Sequence, residues 1–73
     1  MSEPRLVEPA EAYRIVGGLS ESTIRRMIRV GTFPRPVVLN RDRHGKAVRV
    51  AYIYDELIAW NRQRIEADRG AAA

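Results

Sequence analysis

The sequence predicts a mainly α chain with one small β-hairpin, three helices and two strands in all. Three observations predict it. Two short stripes of apolar residues at helical spacing are separated by Gly17-Gly18-Leu19-Ser20. After Pro34 and Pro36 the apolar period changes from about 3.6 to 2 residues, the repeat of a strand. An apolar-rich segment beginning at Asp55 then returns to helical spacing.

The elements follow in order. Residues 1–5 read as a flexible arm. Glu8-Pro9 opens the first helix, with proline where the first-turn N–H has no partner anyway. Pro9, Ala12, Tyr13 and Val16 form its apolar stripe, and Gly17-Gly18 ends it in the left-handed backbone that glycine tolerates. Ser20 is a good N-cap. A second helix should span Glu21 to Val30, with Ile24, Met27 and Ile28 buried and Val30 near its end. Gly31 caps it and Pro34 forbids continuation. Val37–Asn40 and Ala47–Tyr54 alternate as strands, rich in β-branched and aromatic residues. Arg41-Asp42-Arg43-His44-Gly45-Lys46 between them makes a hairpin with a basic tip. Asp55 should cap the third helix, with apolar contacts from Leu57, Ile58, Trp60 and Ile65. Residues 6–67 make the domain, and 68–73 read as a flexible tail.

Two helices joined by a few residues with Gly-Gly inside have the sequence form of a helix-turn-helix. A basic hairpin behind it is a wing. The predicted fold is therefore a winged helix-turn-helix, three helices plus a two-stranded wing.

Composition narrows the function classes. The chain has 73 residues, 45% of them hydrophobic and 30% charged, a mix that folds as one small domain. It has no cysteine, which removes a disulfide staple, a cysteine-ligated zinc site and a thiol nucleophile. That absence suits a reducing cytoplasm. No apolar stretch approaches the roughly 20 residues of a membrane span. Ser2-Glu3-Pro4 carries no basic, apolar leader pattern. The expected location is the cytoplasm.

The net charge of +4 conceals a division. Between Ser22 and Arg49 stand eight basic residues, Arg25, Arg26, Arg29, Arg35, Arg41, Arg43, Lys46 and Arg49, against Asp42 alone, a net of +7. The flanking segments hold five basic residues and eight acids, a net of −3. A surface charged merely for solubility mixes its signs. Seven of the eight cations are arginine, whose planar fork suits phosphate and guanine. Helical spacing turns Ser22, Arg25, Arg26 and Arg29 away from the apolar stripe, onto a face with no acid. This pattern points to double-stranded DNA, with the second helix in the major groove and the wing on the backbone or minor groove.

An enzyme is not expected. His44, the single histidine, sits on a hairpin tip among cations, with no second ligand or nucleophile near it in sequence. Gly17-Gly18 is not followed by Lys-Ser/Thr, and Ser20 stands in no nucleophile elbow. No metal and no cofactor is expected.

The run Gly18-Leu19-Ser20-Glu21-Ser22-Thr23-Ile24-Arg25-Arg26, followed by Gly31-Thr32-Phe33-Pro34-Arg35-Pro36-Val37, resembles the AlpA-like phage regulators and MerR-like excisionases. That family has an aromatic residue in the second wing strand eight positions before a helix tryptophan, a spacing met here by Tyr52 and Trp60. Glu56 falls where the family carries an acid. The resemblance spans Leu6 to Ile65. Tyr52 departs from the family's tryptophan, and the tip from Arg41 to Lys46 is longer than usual. The resemblance implies a DNA-binding excisionase, a recombination directionality factor, or a transcriptional regulator of a mobile element. It implies as partners duplex DNA, a tyrosine integrase and further copies bound side by side. By position it matches Ser22, Thr23, Arg25, Arg26 and Arg29 to the recognition helix and Arg41, Arg43, Lys46 and Arg49 to the wing. Arg35 and His44 complete the candidate set as cations or phosphate contacts of the same segment. The other readings are the DNA-recognition domain of a phage packaging or partition protein, and a basic module that meets an acidic protein.

Overall fold

The computed structural model describes residues 3–72. Of the expected arm and tail, residues 1, 2 and 73 lie outside the described residues. The element order is β1 (Leu6–Val7), α1 (Pro9–Ile15), α2 (Glu21–Val30), β2 (Val37–Arg41), β3 (Ala47–Ile53) and α3 (Tyr54–Ala72). The three strands form one antiparallel sheet in the order β1-β3-β2.

The two helix ends that sequence placed most sharply are made by local hydrogen bonds. At the end of α1, Gly17 N–H donates to Arg14 O (3.1 Å) and Gly18 N–H to Tyr13 O (2.8 Å), with both glycines at positive φ. At the end of α2, Gly31 (φ 83°) N–H donates to Ile28 O and Thr32 N–H to Met27 O, at 3.2 and 2.8 Å. Both are the six-to-one and five-to-two pattern that satisfies orphan carbonyls. Ser20 Oγ caps α2 by accepting from Thr23 N–H at 3.3 Å.

The sheet differs from the expected two-stranded hairpin. Leu6 pairs with Ile53 and Val7 with Tyr52, adding a third strand. Two residues are too few to show a period, so the pairing partner alone defines this strand. Val7 is buried by it. The neighbouring Arg5 is tied to the start of α3. Its carbonyl accepts Tyr54 N–H (2.8 Å), its guanidinium lies 4.5 Å above the Tyr54 ring, and it reaches Glu11 at 3.5 Å.

The core comprises Val7, Ala12, Val16, Ile24, Phe33, Tyr52 and Leu57. Four aromatic rings link its layers edge to face. Tyr13 meets Tyr52 (centroids 6.2 Å), Tyr52 meets Phe33 (5.8 Å) and Phe33 meets Trp60 (4.8 Å). Such pairs add to the area they bury. Two adjacent residues of α3 tie it to distant carbonyls. Trp60 Nε1 donates to Thr32 O (2.8 Å) and Asn61 Nδ2 to Ile15 O (3.0 Å), the last residue of α1.

Three expectations are corrected, at Asp55, at Ile65 and at the start of the tail. Asp55 is not the cap of α3, because the helix begins at Tyr54 and Asp55 sits in its first turn beside Glu56. Either position suits the positive end of the helix dipole. Val30 ends α2 as expected and is 66% exposed. Two positions beyond Ile28, it falls about 200° round the helix from it, on the solvent side. Ile65 is 53% exposed because α3 outruns the body, and residues 62–70 are all exposed. The same helix continues through Gly70 to Ala72, past the expected start of the tail at 68.

The alternation expected of the hairpin also fails to bury one face. All of β2 is exposed, and of β3 only Ala51 and Tyr52 are buried. Neighbouring strand residues point to opposite faces, so both faces are covered at the base of the hairpin. Its outer half projects beyond any covering layer, leaving Leu39 and Val48 about half exposed, while Val37 and Val38 nearer the base are each 37% exposed.

Candidate nucleic-acid interface

The site is assembled from α2 and the β2–β3 hairpin, which the segment 31–36 connects. In α2 the apolar side fixes the rest. Ile24 is fully buried, and Met27 and Ile28 pack beside it on the core. With 3.6 residues per turn, Ser22, Arg26 and Arg29 then fall on the stripe opposite Ile24. All three are exposed. Arg26 and Arg29 form no ion pair among the described residues.

Arg25 sits differently. Its Nη2 donates to Glu21 Oε1 at 2.9 Å, an i,i+4 pair on the exposed surface. The expectation of a face without acid is therefore corrected, since Glu21 lies on the same exposed surface. The spacing that makes the pair was visible in the sequence, where Glu four positions before Arg is the favourable order. Thr23 is half-buried and its hydroxyl is drawn into the cap, accepting from Ser20 Oγ at 2.9 Å. Ser22 Oγ lies 3.3 Å from the same Ser20 Oγ. Both hydroxyls thus have a partner within the helix's own first turn.

The hairpin tip is a compact turn organised by Asp42. Gly45 N–H donates to Asp42 O (3.0 Å) and Asp42 N–H to Lys46 O (2.9 Å), with Gly45 at φ 82°. This is a type I turn closed by a left-handed residue, the usual form of a three-residue hairpin loop. The Asp42 carboxylate also accepts the N–H groups of His44 (2.8 Å) and Lys46 (3.0 Å). The one acid of the +7 segment is thus engaged in shaping the loop. Arg41 Nη1 donates to Gly45 O at 2.8 Å, so that side chain is partly held along the tip.

Arg43, His44, Lys46 and Arg49 are exposed, as is Arg35 in the connecting segment. Among the described residues, none of the four tip and strand cations Arg41, Arg43, Lys46 and Arg49 has an ion-pair partner. Arg49 faces Asn40 across the ladder, and the register shifts on both sides of that pair. Leu39 and Val48 fall at these two irregularities. Bulges of this kind raise local twist and re-aim side chains. Sequence reasoning put Leu39 and Val48 in alternating strands, because a bulge leaves no mark in a two-residue period.

The arrangement offers many donors and few competing acceptors. Exposed guanidinium groups at Arg26, Arg29, Arg35, Arg43 and Arg49, with Lys46, present a cationic surface able to meet phosphates singly or in a fork. Among the described residues no three His, Asp or Glu side chains converge in a way that holds a metal ion. No helix is long and apolar enough to cross a membrane. Comparison with protein-family models, with curated proteins and with solved structures returned no match.

Proposed function

We propose that this chain is a winged helix-turn-helix protein that binds double-stranded DNA in a sequence-specific manner. In this reading α1 and α2 are the helix-turn-helix, α2 is the recognition helix in the major groove, and the β2–β3 hairpin is the wing on the backbone or minor groove. The observation that carries it is the exposed set Arg26, Arg29, Arg43, Lys46 and Arg49, without ion-pair partners among the described residues, on α2 and on the hairpin that a short segment joins to it. The support from chemistry is the division of charge, +7 from Ser22 to Arg49 against −3 elsewhere. A duplex presents regularly spaced phosphates and guanine acceptors, which arginine forks match. The family resemblance carried by Gly18–Arg26, Gly31–Val37, Tyr52 and Trp60 extends the proposal. The protein is an excisionase or an AlpA-like regulator of a mobile element, with a tyrosine integrase and neighbouring copies as partners on DNA.

The test is binding of the full chain to labelled duplexes across a salt series. With about five or six phosphates contacted, log K should fall with a slope near −5 against log salt. Binding to an acidic protein but to no duplex would replace DNA with a protein partner. Footprinting on attachment-site DNA, and an excision assay with the integrase, then separate the recombination role from a transcriptional one.

A further inference from the structure

Given the DNA-binding reading above, we infer that Glu21 is a specificity-determining residue. Its carboxylate, paired with Arg25, reads a cytosine·guanine base pair in the major groove. Glu21 is the single acid of α2 and its first residue. The side chains of Glu21 and Arg25 are 59% and 72% exposed, with Oε1 and Nη2 at 2.9 Å. Glu21 Oε2 makes no hydrogen bond among the described residues.

A carboxylate is out of place on a surface that only grips phosphate. Phosphate oxygens accept and never donate, so an ionised carboxylate nearby weakens binding to every sequence. Base edges are different. Cytosine presents its N4 amino group as a donor, and guanine its O6 and N7 as acceptors. The Glu21–Arg25 pair offers the complement of that edge, one acceptor-only group beside one donor-only group. The i,i+4 spacing holds the two within one turn, and their ion pair restricts Arg25 before contact. The exposed pair is weak enough to re-aim when base donors and acceptors arrive. The first turn of a recognition helix is also where helix-turn-helix proteins reach base edges.

The competing role for Glu21 is structural, an acid favourable at the positive end of a helix. The two roles differ in readout. The experiment selects duplexes from a randomised library with the full chain. It then measures affinity for the selected duplex and for a scrambled duplex of equal composition, with wild type and Glu21→Gln. The selected set should hold an invariant cytosine·guanine pair at one position. Glu21→Gln should bind the scrambled duplex about three- to tenfold more tightly at low salt, since a repelling charge is gone. The ratio of selected to scrambled affinity should fall about tenfold or more, with preference relaxed at that one position. An unchanged ratio, or an equal change on both duplexes with a lower Tm, would leave Glu21 a structural residue and overturn the inference. If the wild-type chain binds no duplex at all, the DNA reading itself fails. The two failures are thereby distinct.

Discussion

At the scale of single residues, charge was legible, and partnership only where spacing reports it, as for Glu21 with Arg25 but not for Arg41 with Gly45 O. The candidate cations stand exposed as their type predicts, yet they divide into three kinds. Arg26 and Arg29 have no ion-pair partner among the described residues, Arg25 is held by Glu21, and Arg41 is held by Gly45 O. A guanidinium without an ion pair on the outward stripe can read a base without first re-aiming. Arg26→Ala should therefore lower affinity for a selected duplex by about 1–3 kcal/mol while changing random duplex much less. Equal loss on both, in a competition assay, would move Arg26 to the phosphate contacts. Tyr52 shows a second limit of residue-level reading. Its type and position predicted a core aromatic, and it is buried. The structure adds that burial, and secondarily Tyr13 beside it, pushes its phenol well above the ordinary 10.0. The folded state thus favours the protonated phenol, and the stability this gives is present below pH 10 and lost as pH rises further. Thermal melts from about pH 9 to about pH 11 should show wild type losing Tm faster than Tyr52→Phe. Parallel curves would mean that the phenol ionises as readily in the fold as in the open chain.

At the scale of elements, boundaries set by local hydrogen bonds were legible. Helix α2 spans Glu21–Val30 as its Ser20 cap and Gly31 stop require, because those bonds run between residues two to five apart. Gly31 stands at φ 83°, where any Cβ is strained. Gly31→Ala should destabilise by about 1 kcal/mol or more with no loss of packing. A denaturant midpoint equal to wild type would show that the helix end adjusts freely. The hairpin was legible as two strands and a turn, while its exposure was not, because alternation reports faces and not whether anything covers them. Its tip is built on backbone bonds and the Asp42 carboxylate, so its cations can be removed without unmaking it. Arg43→Ala with Lys46→Ala should leave Tm near wild type, weaken all duplexes alike, and flatten the salt slope by about two. A slope that stays the same would take the hairpin tip off the contact surface. Helix α3 is the element read least well. Its first half supplies Leu57 and Trp60 to the core, and its second half, from Arg62 to Gly70, is exposed, with Arg64 laid over the Trp60 ring at 4.8 Å. Ending the chain after residue 67 should therefore shift the denaturant midpoint only slightly, within the about 0.5 kcal/mol typical of surface changes. A large loss would reveal support from that end.

At the scale of the whole molecule, a small core is closed by long-range ties. Ile24 and Leu57 are its largest fully buried side chains, and the ring sequence Tyr13, Tyr52, Phe33 and Trp60 joins α1, β3, the 31–36 segment and α3. Leu57→Ala should cost about 2–5 kcal/mol, a large share of what so small a domain has. A cooperative melt at the wild-type temperature would refute that placement of the core. By itself the sequence determined the ends of α1 and α2, the turn between them, the hairpin and the division of charge. All of these rest on neighbours in the chain, through caps, glycine backbone, periodicity and composition. The tertiary structure alone decided that Leu6–Val7 is a strand, that Ile65 and the outer hairpin face solvent, and that Trp60 and Asn61 bind the carbonyls of Thr32 and Ile15. Those outcomes depend on residues far apart in sequence, such as Leu6 with Ile53 or Trp60 with Thr32, which meet only when the chain folds and which no local pattern encodes.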